Sequence, residues 1–142
     1  VTTITYRAGV IASDGRETDE HDNGASYVIT DRCKKLFRLP DGSVIGCAGS
    51  SENGALLVQA ITKKLATPKL EHISALHVTR KGAFLYEGAA WLPIRERFYA
   101  IGSGGAYAVA AMKAGADAVK ACRIGAEMDP CSGGKVSWLR AR

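Results

Sequence analysis

A threonine stands at position 2 of this 142-residue chain, with Asp14, Lys35 and Gly49 following it among apolar runs. Threonine is a poor nucleophile until some group takes its hydroxyl proton, and one solution uses its own α-amine as the base at a chain terminus. That chemistry needs an extended strand starting at the threonine, a cation that keeps the amine neutral, and backbone donors for the oxyanion. Thr2-Thr3-Ile4 offers the strand. Lys35 ends a loop and starts a strand, and Asp14, at the end of the paired hairpin strand, is the counter-charge a buried lysine needs. Gly49 has no side chain to keep a carbonyl oxygen from its N–H, and it precedes a helix start whose dipole favours negative charge.

The elements that must hold these residues follow from periodicity and turn chemistry. Residues 3–6 have strand propensity, and Arg7-Ala8-Gly9 turns them into a second strand over 10–14. Residues 17–25 read as a polar loop. Apolar runs at 27–29 and 35–39 lead to the Pro40-Asp41-Gly42 turn and a strand over 43–49. Ser50 or Ser51 caps a helix that runs to about residue 66, with Leu57, Ala60, Ile61 and Leu65 on one stripe, and Pro68 ends it. Strands follow at 75–79, 83–86 and 98–101. Past Gly102-Ser103-Gly104-Gly105 come a helix over 106–113, a break at Gly115, a helix capped by Asp117 and running to about 128, and a closing strand at 135–139. Ala118, Ala121, Cys122 and Gly125 give that last helix a small-residue face suited to lying close on a sheet. Strands, then helices, then a strand predict α+β in one domain spanning 1–142.

Composition excludes several functions. The net charge is +5, from 19 basic and 14 acidic residues, but the bases are scattered, with no aromatic interleaving and no nucleic-acid-binding motif around them. No run approaches the roughly 20 apolar residues that span a bilayer, so no membrane partner is expected. The start of the chain has no basic-then-apolar secretory pattern, and the expected compartment is the cytoplasm. Cys33, Cys47, Cys122 and Cys131 lack C-x-x-C spacing, and His21, His72 and His77 form no helical pair, so no metal is expected. Gly102 to Gly105 lacks the Gly-Lys-Ser/Thr of a P-loop. Taken singly, Thr2-Thr3 is a strand start, Asp14 a turn cap and Lys34-Lys35 a solvated pair.

Taken together and in order, the pieces Thr2-Thr3-Ile4, Asp14-Gly15-Arg16, Lys34-Lys35, Ala48-Gly49, Gly102-Ser103-Gly104 and Asp129-Pro130-Cys131-Ser132-Gly133-Gly134 resemble the signature of proteasome β-subunits and bacterial HslV. The 14-residue step from Lys35 to Gly49 resembles that family's spacing, and the resemblance covers nearly the whole chain. It implies a four-layer αββα sandwich of the N-terminal-nucleophile hydrolases and a threonine-type endopeptidase. It implies Thr2 as nucleophile, its amine as base, Lys35 and Asp14 as the charged pair beside it, Gly49 as oxyanion donor, and Ser103, Asp129 and Ser132 as the polar cluster that positions the amine and relays its proton. Glu17, Cys33, Cys47 and Ser51 would line the pocket for the side chain before the cleaved bond. Cys47 suggests an apolar pocket and Glu17 one that attracts basic side chains; the sequence does not choose. No metal or organic cofactor is implied. The implied setting is a homo-oligomeric ring that encloses its sites and degrades unfolded protein, fed by an ATPase unfoldase.

Two features depart from the family's pattern. Val1 in front of Thr2 turns the required amine into an amide, so activity requires its removal. Family members carry two helices between the Ala-Gly strand and the Gly-Ser-Gly segment, whereas here only the helix after Gly49 has room, which predicts one reduced helical layer. A non-catalytic ring subunit that keeps Val1, and an amidase of the same fold acting on a small molecule, are the alternative readings.

Overall fold

The computed structural model describes residues 2–142, so Val1 lies outside the described residues. In chain order the strands and helices are β1 (Ile4–Arg7), β2 (Val10–Ser13), β3 (Glu17–Glu20), β4 (Ser26–Thr30), β5 (Leu36–Arg38), β6 (Val44–Gly49), α1 (Ser51–Thr62), β7 (Ile73–Thr79), β8 (Gly82–Tyr86), β9 (Trp91–Ile94), β10 (Phe98–Ile101), α2 (Gly105–Lys113), α3 (Ala118–Met128) and β11 (Ser137–Arg140). They form a four-stranded sheet in the order β10-β1-β2-β11, a five-stranded sheet in the order β5-β6-β7-β8-β9, and a separate β3-β4 ribbon. All pairings are antiparallel.

The two large sheets pack face to face through β1, β2, β6 and β7, with α2 and α3 outside one and α1 outside the other. This is the expected αββα sandwich, with one helical layer reduced to a single helix.

Strand periodicity of two explains which residues meet. On β6 and β7, Val44, Ala48, Leu76 and Val78 face the other sheet and join Ile4 and Ile11 there. Their alternates Ile45, Ile73 and Ala75 face α1 and pack with Leu57. Each fully buried valine, leucine or isoleucine among them contributes about 1.5–3 kcal/mol. On β1, Thr5 turns the other way and its Oγ1 donates to Ala118 O at 2.7 Å. The buried residues of α3 are Ala118, Ala121, Cys122 and Gly125, the small face expected of it.

Three local expectations are corrected. Residues 17–20 form a strand, not a loop, because the turn through Gly24 folds β4 back onto them and supplies their backbone partners. Helix α1 ends at Thr62, not near residue 66. Lys64 takes a left-handed φ of 54°, and the N–H groups of Lys64 and Leu65 return to Ile61 O and Ala60 O, a Schellman ending without glycine. Leu65 therefore leaves the apolar stripe and is exposed. Strand β9 was hidden by Pro93, which a sheet tolerates because β9 is an edge.

Candidate active site

The hairpin β1–β2 continues one step beyond its strands: Asp14 N donates to Thr3 O at 3.1 Å. This register brings Asp14 beside the start of β1. On the other sheet, β5–β6 pairing also extends one step, with Cys47 N donating to Lys35 O at 3.0 Å, and Lys35 is delivered to the same end of the sandwich. The three side chains meet there. Thr2 Oγ1 donates to Asp14 Oδ1 at 2.5 Å. Lys35 Nζ donates to Thr2 Oγ1, to Asp14 Oδ1 at 2.7 Å and to Arg16 O at 2.6 Å. An ammonium has three N–H bonds, and all three are used.

Asp14 is equally committed. Thr3 N reaches its Oδ1 at 3.1 Å, and Arg16 N and Gly133 N reach Oδ2 at 3.3 and 3.0 Å. The pair is almost dry, with side-chain exposures of 8% for Lys35 and 0% for Asp14. Thr2 is itself 1% exposed.

A second cluster approaches Thr2 from the backbone side. Its N–H donates to Ser103 Oγ at 3.1 Å. Ser103 and Ser132 both donate to Asp129 Oδ2 at 2.5 Å, and Cys131 N donates to Oδ1 at 3.2 Å. A hydroxyl has one proton, so Ser132, having given its own to Asp129, accepts from Thr3 Oγ1 at 2.9 Å. Burial pushes the Asp129 carboxyl up, but the bonds from Ser103, Ser132 and Cys131 outweigh it and hold the group below the usual carboxylate value. The chain must pass very close to Thr2 to place Ser103. A Cβ on Gly102 would sit 2.2 Å from Thr2 O, and Gly102 has φ of 90°. Only glycine fits there.

Thr2 opens onto a cleft of about 920 Å³, which Lys35 and Gly49 also line. Gly49, with φ of 107°, would drive a Cβ to 2.3 Å from His72 O, so a bare backbone at this edge is a steric necessity. Ser50, not Ser51, caps α1: its Oγ accepts from Asn53 N at 3.2 Å. Glu17, Cys33, Cys47 and Ser51 all line the same cleft. Ser51 Oγ donates to Glu17 Oε1 at 3.4 Å. Burial pushes the Cys47 thiol up to about 12, and burial together with Glu17 raises that of Cys33. Both are thus thiols at neutral pH, with the character of small apolar groups.

All seven residues expected to do chemistry therefore lie at this end of the sandwich. Thr2, Lys35 and Gly49 line the cleft, Asp14 touches the first two, and Ser103, Asp129 and Ser132 lie behind Thr2 N. The sequence reading missed the clamp around them. Arg16 Nε and Nη2 grip Asp31 at 2.8 and 3.2 Å, and Nη1 reaches Pro130 O at 3.5 Å. A Cβ on Gly133 would lie 2.6 Å from that guanidinium. Arg16 was visible in Asp14-Gly15-Arg16, but its partner depends on where the β3–β4 ribbon returns.

No family model matches the chain, and no curated protein matches it. Solved structures do. Eukaryotic HslV from Trypanosoma brucei matches with a TM-score of 0.69 and 21% identity, over 98% of each chain. Thiobacillus denitrificans BPH in complex with epoxomicin matches with a TM-score of 0.66 and 21% identity, over 99% of this chain and 98% of that one. Another structure of the same BPH matches with a TM-score of 0.66 at 20% identity. At this level of identity the likeness establishes the fold: over essentially all of its length, this chain has the architecture of HslV and BPH.

Proposed function

We propose that the chain is a threonine-type endopeptidase whose nucleophile is Thr2 Oγ1. The observation that carries this reading is the double engagement of Thr2. Its hydroxyl lies between Asp14 and Lys35, its backbone nitrogen rests on a serine bound to Asp129, and its side opens to a cleft. An ordinary strand start has no use for a buried ion pair on its hydroxyl and a polar relay on its nitrogen.

Cleavage of the bond between Val1 and Thr2 frees the α-amine. The amine, through water, takes the Thr2 hydroxyl proton as Oγ1 attacks the scissile carbonyl. Gly49 N–H stabilises the oxyanion, a donor of the kind whose removal costs about 10²–10³ in rate elsewhere. The C–N bond then breaks, the proton passes to the leaving amine, and an acyl ester on Thr2 remains. Water hydrolyses the ester by the same proton route and regenerates the hydroxyl. Lys35 lowers the proton affinity of the threonine group electrostatically, Asp14 anchors Lys35, and Ser103, Asp129 and Ser132 orient the amine. Glu17, Cys33, Cys47 and Ser51 receive the side chain before the cleaved bond.

The HslV-like architecture supports a homo-oligomeric ring acting on unfolded protein, with an ATPase unfoldase as the delivering partner. Hydrolysis of unfolded casein by the assembled protein tests the reading. Thr2→Ala abolishes it and Thr2→Ser retains a fraction. Full activity in Thr2→Ala contradicts the proposal. No activity in any form, with Val1 retained, favours the non-catalytic ring subunit. Turnover of small amides alone favours the amidase.

A further inference from the structure

We propose that the end of the sandwich opposite Thr2 is a docking surface for an acidic polypeptide segment. It does not depend on the peptidase reading. The bases are scattered along the sequence, but the strand registers gather them. Thr2 and Asp14 lie at one end of the two sheets. The other end is marked by Arg7 opposite Val10 and Phe98, Val10 opposite Arg140, and Arg38 opposite Val44. Val44 opposite Val78 and Thr79 opposite Gly82 put the β7–β8 turn there, with Arg80 and Lys81. The β9–β10 connection crosses between the sheets at the same end, with Arg95 and Arg97. Arg7 reaches Met112 O and so places Lys113, and Arg142 N donates to Gly42 O at 3.0 Å.

Nine of the 19 basic residues thus share this end with three of the 14 acidic ones, Asp41, Glu96 and Asp117. Ten basic and eleven acidic residues remain for the rest of the molecule, so the whole excess of +5 resides at this pole.

The protein's own carboxylates do not neutralise it. The ion pairs among the described residues are Arg16–Asp31, Lys35–Asp14 and His72–Glu71, all elsewhere. Asp41 accepts from Ser43 Oγ at 2.5 Å, and Asp117 accepts from Lys120 N at 2.8 Å as the cap of α3. Three guanidiniums are held by main-chain carbonyls. Arg38 donates to Gly42 O and Arg140 O, both at 2.9 Å, Arg140 to Ala8 O at 3.3 Å, and Arg7 to Met112 O and Ala116 O at 2.6 and 3.0 Å. Carbonyls fix these groups without cancelling their charge, and each guanidinium has five N–H donors. The side chains of Arg80, Lys81, Arg95, Arg97, Lys113 and Arg142 are exposed and form no ion pair among the described residues.

What the surface has and lacks selects the partner. Seven of its nine cations are arginines, whose planar fork matches a carboxylate through two parallel bonds. Single-stranded nucleic acid needs aromatic faces for its bases, and a membrane-surface anchor needs apolar side chains that enter the headgroups. None of the large exposed apolar residues belongs to these turns. A nucleic-acid duplex follows a basic stripe, whereas these cations ring the ends of two stacked sheets. Five strands at about 4.8 Å spacing make the surface roughly 19 Å wide, a distance that about six extended residues span. A short run of aspartates and glutamates fits both the charge and the width.

The test follows the anisotropy of a fluorescein-labelled octaglutamate peptide on the assembled protein at about 0.1 M ionic strength, where screening acts over about 10 Å. The wild type binds the peptide. Arg80→Glu with Lys81→Glu, and Arg95→Glu with Arg97→Glu, each weaken binding at least fivefold. Lys64→Glu with Lys69→Glu makes the same change in net charge away from this pole and weakens binding less than twofold. Both pole variants melt with the wild type, because the replaced side chains have no partner to lose. Absence of binding by the wild type overturns the proposal, and so does an equal loss in the Lys64/Lys69 variant, which reduces the effect to net charge. Tighter binding of a single-stranded or duplex oligonucleotide of equal charge, or of phosphatidylserine vesicles, overturns the assignment to an acidic polypeptide.

Discussion

Lys35 and Asp14 form an ion pair of 2.7 Å between two nearly inaccessible side chains, and Thr2 Oγ1 is bonded to both partners. The charge that acts on the hydroxyl is thus held by a group that water does not screen. Loss of one partner strands the other in the interior. Lys35→Ala is expected to lower unfolding free energy by about 3–5 kcal/mol in urea titrations and to abolish peptide hydrolysis. Lys35→Arg does not restore activity, because a planar fork cannot aim three donors at Thr2 Oγ1, Asp14 Oδ1 and Arg16 O. Wild-type stability in Lys35→Ala would contradict this arrangement.

Asp129 links stability to pH at the acid end. Its folded value lies below the ordinary 3.8, so between the two values the unfolded chain binds the extra proton. The stability it contributes is complete above about 3.8 and is lost as pH falls through the lower folded value. In Asp129→Asn that part of the acid limb flattens in thermal melts, and hydrolysis falls by roughly 10²–10⁴ as the relay loses its charge. An unchanged acid limb and unchanged rate would place Asp129 outside the relay.

His77 produces a separate slope nearer neutrality. Burial beside Trp91 and Phe84 lowers its value from 6.5, and Asp41 only partly opposes this. Ser43 gives its proton to Asp41 Oδ1 at 2.5 Å, so His77 Nε2 donates to Ser43 Oγ at 2.8 Å. Here too the unfolded chain binds more protons between the two values. Stability is full above about 6.5, declines as pH falls to the folded value, and is level below it. His77→Gln keeps a donor and removes this slope from pH-dependent denaturation curves.

Gly102 and Gly105 make a matched pair. Gly102→Ala puts a methyl into Thr2 O at a positive φ, a strain of about 1–3 kcal/mol before any displacement of the strand start. Gly105→Ala meets nothing nearer than 3.5 Å and sits in the first turn of α2, where alanine is the better helix former. The first variant melts earlier and loses activity, and the second melts no earlier than wild type.

Much of this site could be read from the chain because its chemistry is tied to local signals. Gly49 and Gly102 occupy backbone positions closed to other residues, Asp14 follows a short hairpin whose register is set by a two-residue turn with positive φ at Ala8 and Gly9, and α3 shows its packing face in its small residues. What escaped depended on distant partners. β3 is too polar to read as a strand and exists by pairing with β4. β9 carries a proline that only its edge position permits. The Arg16–Asp31 clamp joins residues fifteen apart, which the ribbon brings together and no periodicity announces.

The most direct measurement is the intact mass of the assembled protein before and after exposure to a peptide epoxyketone, a reagent that closes a ring using both a threonine hydroxyl and a free α-amine. The expected result is a starting mass without Val1 and one adduct, mapped to Thr2. A chain that still carries Val1 and stays unmodified would contradict Thr2 as the nucleophile of this protein.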